Sequence, residues 1–191
     1  MSTRRVFLTG ATGFIGTRLA ERLGASGYTL RCLVRTDARA TRLRELGAEI
    51  LLGNVTDRAL LERGMQDCEL AYHVAAIYDL GVLNPSVMQQ TNVEGTRAFL
   101  EAAGASRIRK AVYVSTTVAL GPSSEGESEN VTEYDGPYPS AYHRTKAQAH
   151  RLAREAQTRE LPLIIVCPAY VYGPGDEGPA GRFIADLLRR R

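Results

Sequence analysis

Apolar and polar positions alternate along the chain with two different periods. Short apolar runs typical of strands occupy about residues 4–9, 28–34, 48–53, 69–75, 110–116 and 161–168. The intervening segments have the three-to-four-residue apolar spacing of helices that bury one face, at about 14–25, 37–46, 57–65, 85–105, 140–158 and 182–191. This alternation predicts an α/β fold with a doubly wound parallel sheet, covered by helices on both faces.

Residues at the ends of the predicted helices support these assignments. Asp57 and Ser140 can act as N-caps, and Pro85 is tolerated in a first helical turn. Residues 121–139 are rich in Gly, Pro, Ser and Glu and predict a loop, whose length is typical of functional or mobile loops. No repeat or linker divides the chain, so residues 1–191 are interpreted as one domain.

Composition narrows the classes of partner. The chain has 191 residues, 44% hydrophobic and 24% charged, as in soluble globular proteins. A net charge of +3 spread along the chain does not favour nucleic-acid binding. No apolar run matches a membrane span or a signal peptide, so a cytoplasmic location is expected. Cys32, Cys68 and Cys167 lack metal-ligand spacing, so they are interpreted as reduced structural thiols and no metal site is expected.

The segment TGATGFIG, residues 9–16, contains the first chemically informative motif. Gly10, Gly13 and Gly16 follow a predicted strand and precede a predicted helix, which is the context of a dinucleotide-binding fingerprint. Gly10 would make the tight turn, Gly13 would admit the pyrophosphate, and Gly16 would let the helix pack closely. The helix N-terminus then offers free N–H groups to the phosphates.

The end of the second predicted strand bears on cofactor choice. Arg35 follows Val34 there, and a guanidinium suits a ribose 2′-phosphate. The sequence therefore favours NADP, while Asp37 keeps NAD open as the alternative, because an acidic residue in this region binds ribose hydroxyls.

An ordered series of motifs resembles one family. The series is TGATGFIG, GNVTD (53–57), HVAA (73–76), TNVEGT (91–96), VYVSTTVALG (112–121), AYHRTK (141–146) and CPAYVYGPGD (167–176). Its order and spacing resemble the extended short-chain dehydrogenase/reductases, the NAD(P)-dependent epimerase/dehydratase group. The stretches GYTLRCLVRTD and HVAAIYDL look most like the branch with dihydroflavonol-reductase-like proteins and hopanoid-associated sugar epimerases.

The resemblance implies roles for the reacting groups. Tyr142 would be the general acid/base for hydride transfer at a hydroxyl- or carbonyl-bearing carbon. Lys146, four residues later, would bind the nicotinamide ribose and lower the pKa of Tyr142. Thr116 would orient the substrate oxygen, with Ser115 as the alternative. Neither His73 nor His143 matches a catalytic role in the family.

The same resemblance implies the cofactor contacts and partners. The implied cofactor-binding residues are Gly10, Thr12, Gly13, Phe14, Ile15, Gly16, Arg35, Asn54, Val55, Val74, Ala75, Ala76, Asn92, Tyr142, Lys146, Pro168 and Val171. A small-molecule substrate is expected, such as a sugar, a nucleotide-sugar or a flavonoid-like hydroxy or keto compound. A homodimer would form through the helix at 85–105 and the helix carrying Tyr142.

Family members are longer than this chain, and their remaining sequence supplies most of a substrate domain. The expected function is thus an NAD(P)-dependent oxidoreductase, epimerase or dehydratase with the substrate domain largely missing. The alternative is a dinucleotide-binding module, a sensor or interaction subunit, without turnover.

Overall fold

The computed structural model describes residues 4–78, 84–122, 134–159 and 161–189. Its described strands form one parallel sheet in the order β3-β2-β1-β4-β5-β6. They are β1 (Arg5–Thr9), β2 (Thr29–Val34), β3 (Glu49–Leu52), β4 (Leu70–His73), β5 (Lys110–Val114) and β6 (Leu163–Val166). The predicted doubly wound parallel sheet is confirmed.

Helices connect the strands. They are α1 (Phe14–Ala25), α2 (Thr41–Glu45), α3 (Arg58–Met65), α4 (Pro85–Gln89), α5 (Gly95–Ala105), α6 (Ala141–Thr158) and α7 (Pro179–Arg189). The helix predicted at 85–105 contains a π-helical turn, Gln90–Glu94, between α4 and α5. None of the helices in the described ranges is both long and apolar enough to cross a membrane.

Some boundaries differ from the predicted ones. The segment predicted as one helix at 37–46 is a 3-10 turn, Asp37–Arg39, followed by α2. The chain turns at Ala40, which is buried together with Leu43. The α7 helix begins at Pro179, earlier than predicted. The predicted N-caps are present, since Asp57 Oδ1 accepts from Leu60 N at 3.0 Å and Ser140 Oγ accepts from His143 N at 3.4 Å. Most of the predicted loop at 121–139 lies outside the described residues.

The two sides of the sheet bury separate apolar layers, because successive strand residues point to opposite faces. Phe7 of β1 packs on one side with residues of α3, α5 and α6. Val6 and Leu8 pack on the other side with residues of α1 and α2. Helices on both faces explain why the strands are nearly continuous apolar runs.

The register aligns the carboxyl ends of the central strands at one edge. Thr9 pairs with Leu33 of β2 and with His73 of β4, and His73 pairs with Tyr113 of β5. Strand order reverses at β1, so the crevice between the ends of β1 and β4 lies at the topological switch point, where such sheets bind ligands.

Candidate functional site

A cavity of about 900 Å³ opens at this edge of the sheet. Its walls come from the segments that follow the six strands, β1 to β6, and from the N-terminal part of α1. Every predicted site residue except Asn54 and Asn92 lines this cavity. Segments distant in the sequence thus meet where the sheet topology predicts a ligand.

The glycine turn is packed too closely to accept side chains at two positions. Gly10 has a φ of 73°, and a Cβ there would lie 2.5 Å from the backbone nitrogen of Ala75. A Cβ on Gly16 would lie 2.0 Å from the carbonyl oxygen of Gly10. A Cβ on Gly13 would meet only ordinary contact, 3.4 Å from the same oxygen. Gly10 and Gly16 therefore hold the turn against β4 and α1, while Gly13 leaves the cavity side open.

The first turn of α1 presents backbone donors to the cavity. Gly13 is the N-cap residue, so no side chain caps the helix, and its first turn carries no acidic residue. Thr17, within the first turns, donates its hydroxyl back to the carbonyl of Ala11 at 2.9 Å. Uncapped N–H groups and the positive end of the helix dipole suit a phosphate.

A basic corner lies beyond β2. Arg35 and Arg39 are both exposed and both line the cavity. Asp37, between them, forms an ion pair with Arg44. The Asp37 carboxylate, which had kept NAD as the alternative cofactor, is therefore paired with a cation. The corner itself carries the two guanidinium groups of Arg35 and Arg39. Arg39 was missed in the sequence because its segment was assigned only as a polar helix.

Lys146 is buried beside the end of β5. It is 2% exposed, and its Nζ donates to Tyr113 Oη at 3.2 Å and to the carbonyl oxygen of Val114 at 3.0 Å. Burial lowers the pKa of the Lys146 ammonium to about 8, because the loss of water destabilises the charged form. The group can therefore exchange a proton close to neutral pH.

Tyr142 lies one helical turn before Lys146 on α6. Burial raises the pKa of Tyr142, and a hydrogen bond with Thr116 partly opposes that rise. This differs from the expected lowering, because the loss of water around the Tyr142 hydroxyl outweighs the opposing effect of Thr116. Its ring meets the edge of the Tyr78 ring, with centroids 4.8 Å apart. Tyr142 is accordingly protonated at neutral pH.

The neighbouring hydroxyls of Ser115 and Thr116 have different partners. The Thr116 hydroxyl acts on Tyr142, because it lowers the pKa of the Tyr142 hydroxyl. Ser115 Oγ lies 2.9 Å from Nδ1 of His150, one turn beyond Lys146 on α6. Both residues line the cavity, and of the two Thr116 is the one that acts on the pKa of Tyr142.

His73 is a fully buried polar residue beneath the site. Its Nδ1 lies 2.8 Å from Thr9 Oγ1 and its Nε2 lies 3.0 Å from Thr96 Oγ1. The Thr96 hydroxyl donates to the carbonyl of Asn92 at 2.7 Å, so Nε2 carries the imidazole proton. Burial lowers the pKa of His73 to about 3, and its ring stacks on Phe99 at 4.6 Å. The residue therefore stays neutral and ties β1, β4 and α5 together.

Asn54 and Asn92 bond to nearby chain instead of lining the cavity. Asn92 is 1% exposed; its Oδ1 accepts from Ile77 N at 2.7 Å and its Nδ2 donates to Ile77 O at 3.0 Å. Asn54 Oδ1 accepts from Thr56 N at 3.2 Å. Asn92 thus fixes the segment after β4, which itself lines the cavity. No periodicity in the sequence signals this role.

Two tyrosines at the cavity wall were also missed. Tyr78 bonds to Tyr170, which is 75% exposed, and burial raises the pKa of Tyr78 to about 12. Both follow the carboxyl ends of strands, where parallel sheets collect their ligand contacts. That position is the signal that could have identified them.

The comparisons with known proteins identify the family of the chain. The family model described as the NAD dependent epimerase/dehydratase family matches residues 6–191. A Synechocystis protein named after dihydroflavonol 4-reductase is 34% identical over 190 residues, which are 97% of this chain and 55% of that protein. A ketoreductase of 4-hydroxy-2-methyl-3-oxo-4-farnesyl-3,4-dihydroquinoline-1-oxide from Stigmatella aurantiaca is 32% identical, covering 98% of this chain and 56% of that protein.

Solved structures of related fold also include an NAD-dependent epimerase. UDP-glucuronic acid 4-epimerase from Bacillus cereus, crystallised with NAD, superposes with a TM-score of 0.79 at 25% identity, covering 98% of this chain and 63% of the epimerase. The chain thus spans little more than half the length of the curated relatives it matches. The family model matches residues 6–191, and the parallel sheet and the glycine turn fit that match. The chain therefore belongs to the NAD-dependent epimerase/dehydratase family.

Proposed function

We propose that this chain carries the NADP site and the acid/base group of a reductase, epimerase or dehydratase that acts on a small hydroxy or keto compound. One observation supports this most strongly: Tyr142, Thr116 and Lys146 stand on the wall of the cavity that also contains the glycine turn. A module that only bound a dinucleotide would have no use for a buried tyrosine, hydroxyl and ammonium gathered at one end.

The residues present fit a dinucleotide. Gly10 and Gly16 have no room for a Cβ, Gly13 leaves space, and the first turn of α1 is uncapped, which together suit a pyrophosphate. Val74, Ala75 and Ala76 would hold the adenosine half, and Pro168 and Val171 the nicotinamide half. The bound cofactor supplies or accepts the hydride.

The protein groups would handle the proton. Because its pKa is raised, Tyr142 is protonated at neutral pH and would donate its proton to a substrate carbonyl oxygen as hydride reaches the carbon. Thr116 would bond the same oxygen and fix its direction. In the oxidative direction, Tyr142 would accept the proton from the hydroxyl. Lys146 would place a positive charge one helical turn away, which favours the phenolate form.

The basic corner supports NADP over NAD. Arg35 and Arg39 line the cavity, and Asp37 is paired with Arg44. A 2′-phosphate would meet two guanidinium groups, whereas the hydroxyls of NAD would find the nearby carboxylate already engaged.

A titration of cofactor fluorescence tests the binding proposal. NADPH should bind more tightly than NADH, and Arg35→Ala or Arg39→Ala should weaken NADPH binding about tenfold, the effect of one lost charged contact near 1.4 kcal/mol. NADH affinity should change little. Arg22→Ala, at the exposed C-terminal end of α1, is the matched charge control. Equal affinity for both cofactors in the unaltered protein would contradict the NADP proposal.

Turnover tests the acid/base proposal. A panel of keto compounds and nucleotide sugars should reveal a substrate, and Tyr142→Phe should abolish turnover while cofactor affinity persists. Tyr172→Phe is the control, since Tyr172 is 64% exposed and is not part of the cavity wall. Cofactor binding without turnover on any substrate would support a non-catalytic binding module instead.

We further propose a cytoplasmic homodimer that pairs through the helix formed by α4 and α5 and through α6. Light scattering at increasing protein concentration measures the mass directly. A monomer at high concentration would contradict the dimer.

A further inference from the structure

Arg18 lies in the second turn of α1 and lines the cavity beside the glycine turn. Its Nη2 donates to the carbonyl oxygen of Pro174 at 2.9 Å, and its Nη1 donates to Glu21 Oε2 at 3.1 Å. The bond to Pro174 joins residues that are 156 positions apart in the chain. Arg18 therefore connects α1 with the segment that follows β6.

This segment lies against one face of α1. Phe14 and Arg18 are four residues apart, so their side chains share a face of the helix. A Cβ on Gly173 would lie 3.6 Å from Phe14 Cζ, and a Cβ on Gly175 would lie 3.7 Å from Arg18 Nη2. The backbone around Pro174 is therefore close to this face, and it fixes the guanidinium of Arg18 at the cavity wall.

The direction of the Arg18 side chain brings its charge towards the phosphate-sized end of the cavity. Side chains on a helix lean towards its N-terminus, so Arg18 extends back over the first turn of α1. That turn begins at Gly13 without a side-chain cap and carries no acidic residue. A cation at this end of a helix is unfavourable unless an anion lies beside it. An anionic ligand would meet this requirement.

The ion pair with Glu21 leaves Arg18 able to turn to such a ligand. The pair is exposed and three residues apart in α1, a type that contributes little to stability. Glu21 Oε1 also accepts from Arg42 Nη2 at 2.9 Å and from Arg42 Nε at 3.2 Å, while Arg42 Nη1 bonds to Glu45. Glu21 thus keeps a bidentate cation when Arg18 Nη1 leaves it.

The carboxylates of this cavity wall give Arg18 a further purpose. Glu21, Asp176 and Glu177 all line the cavity. Like charges repel, so a phosphate near these carboxylates is stable only where a cation screens it. Arg18 bonds to Glu21 and to the segment that carries the other two acids. Its guanidinium is therefore placed to separate a bound phosphate from them.

We propose that Arg18 binds the pyrophosphate of the dinucleotide while its Nη2 stays bonded to Pro174. This assignment rests on the proposed function, because it requires a dinucleotide in the cavity. A guanidinium has five N–H donors, and the bonds to Glu21 and Pro174 use two of them in the described part of the chain. The others can donate charge-assisted hydrogen bonds to phosphate oxygens. The glycine turn then offers backbone N–H groups, and Arg18 supplies the positive side chain.

The assignment differs from that of the basic corner in the ligands it affects. Arg35 and Arg39 would meet a 2′-phosphate, which NADPH carries and NADH lacks. The pyrophosphate is common to both cofactors. Loss of Arg18 should therefore weaken both, whereas loss of a corner arginine should weaken NADPH alone.

Calorimetric titrations at low salt with NADPH, NADH and adenosine 2′-monophosphate test this difference. Arg18→Ala should weaken NADPH and NADH alike, about tenfold each, the effect of one lost charged contact. Adenosine 2′-monophosphate has no pyrophosphate, so its affinity should not change. Arg35→Ala should weaken NADPH and adenosine 2′-monophosphate but not NADH. Arg22→Ala, one turn further along α1, is the control and should change none of the three.

Salt and two further variants separate a contact with the pyrophosphate from a merely structural role. Counterions screen an exposed charge, so the difference between the unaltered chain and Arg18→Ala should shrink at high salt. Arg18→Lys keeps the charge and should bind both cofactors within about threefold of the unaltered chain. Arg18→Gln keeps N–H donors without the charge and should resemble Arg18→Ala.

Unchanged affinity of Arg18→Ala for NADPH and NADH would overturn the assignment. A loss that extends to adenosine 2′-monophosphate, or that stays the same size at high salt, would also overturn it, because a general defect of the cavity would then explain the loss. If Arg18→Ala does not fold, the Arg18→Gln titrations decide. Binding of neither cofactor by the unaltered chain would refute the proposed function itself, which is a different result from normal binding that Arg18→Ala leaves unchanged.

Discussion

Two alanine substitutions in α1 should have opposite effects because of their surroundings. At Gly16 a Cβ would lie 2.0 Å from the carbonyl oxygen and 2.7 Å from the carbonyl carbon of Gly10, so backbone must move. At Gly24, in the same helix, a Cβ would lie 3.9 Å from Leu30 Cδ1, an ordinary contact. The two variants share one chemical change and differ only in available space.

The expected magnitudes follow from two opposing effects. Alanine is favoured over glycine within a helix by up to about 1 kcal/mol, and overpacking costs about 1–3 kcal/mol. Gly16→Ala should therefore lower the free energy of unfolding by about 2 kcal/mol, whereas Gly24→Ala should raise it by up to about 1 kcal/mol. For a chain of this length, each kcal/mol corresponds to about 2–4 °C in Tm.

Urea unfolding and the NADPH titration measure both consequences. Gly16→Ala should also weaken NADPH binding more than tenfold, because the Gly10 carbonyl must shift within the turn that we propose holds the pyrophosphate. Gly24→Ala should bind NADPH normally. Equal stability of the Gly16→Ala variant and the unaltered chain, or normal NADPH binding by that variant, would refute the close packing of this turn.

Three further substitutions test the interior. Burial lowers the pKa of His73 from 6.5 to about 3, so between these values the unfolded chain binds a proton that the folded chain excludes. The free energy of unfolding should thus fall as pH drops from 6.5 towards 3, by up to about 1.4 kcal/mol per pH unit. In urea unfolding at pH 7 and 5, His73→Gln should reduce this pH dependence. An unchanged pH dependence would contradict the assignment of the buried neutral imidazole. Asn92→Ala removes both bonds to the Ile77 backbone and should cost about 2–4 kcal/mol in urea unfolding, whereas Asn54→Ala, the control, should cost less than about 1 kcal/mol. At Gly64 a Cβ would lie 2.4 Å from Phe7 Cε2, so Gly64→Ala should lower Tm, while Gly104→Ala, with open space around it, should not.

The sheet could be predicted from the sequence because its strands are buried on both faces, so each strand segment is a short run of apolar residues. The glycine turn could be predicted as well, since Gly10 and Gly16 stand where the packing leaves no room for a side chain. The π-helical turn at Gln90–Glu94 was not predictable, because one extra residue per turn hardly changes an apolar pattern. The split near Ala40 was missed because a 3-10 turn and a helical turn share similar spacing.

The site was predictable where residue type and position both carry chemistry. Tyr142, Lys146 and Thr116 follow from the motif series, and the structure places them together on one wall. The relations of Asn92 to Ile77 and of Ser115 to His150 depend on packing between elements far apart in the chain. Local sequence patterns do not reveal such pairs. For this reason Ser115 was predicted only as the alternative to Thr116, and its contact with His150 was missed.

The central position of β1 has a consequence for the order in which the chain can acquire its binding competence during synthesis. The segment from β1 to β3 forms the first part of the chain, and its three strands can pair as soon as they leave the ribosome. The turn at Gly10, however, rests on the backbone of Ala75, which follows β4. The glycine turn therefore acquires its native support only after β4 has been added beside β1. Under the proposed function, a dinucleotide would stabilise late folding steps and would not guide the first ones.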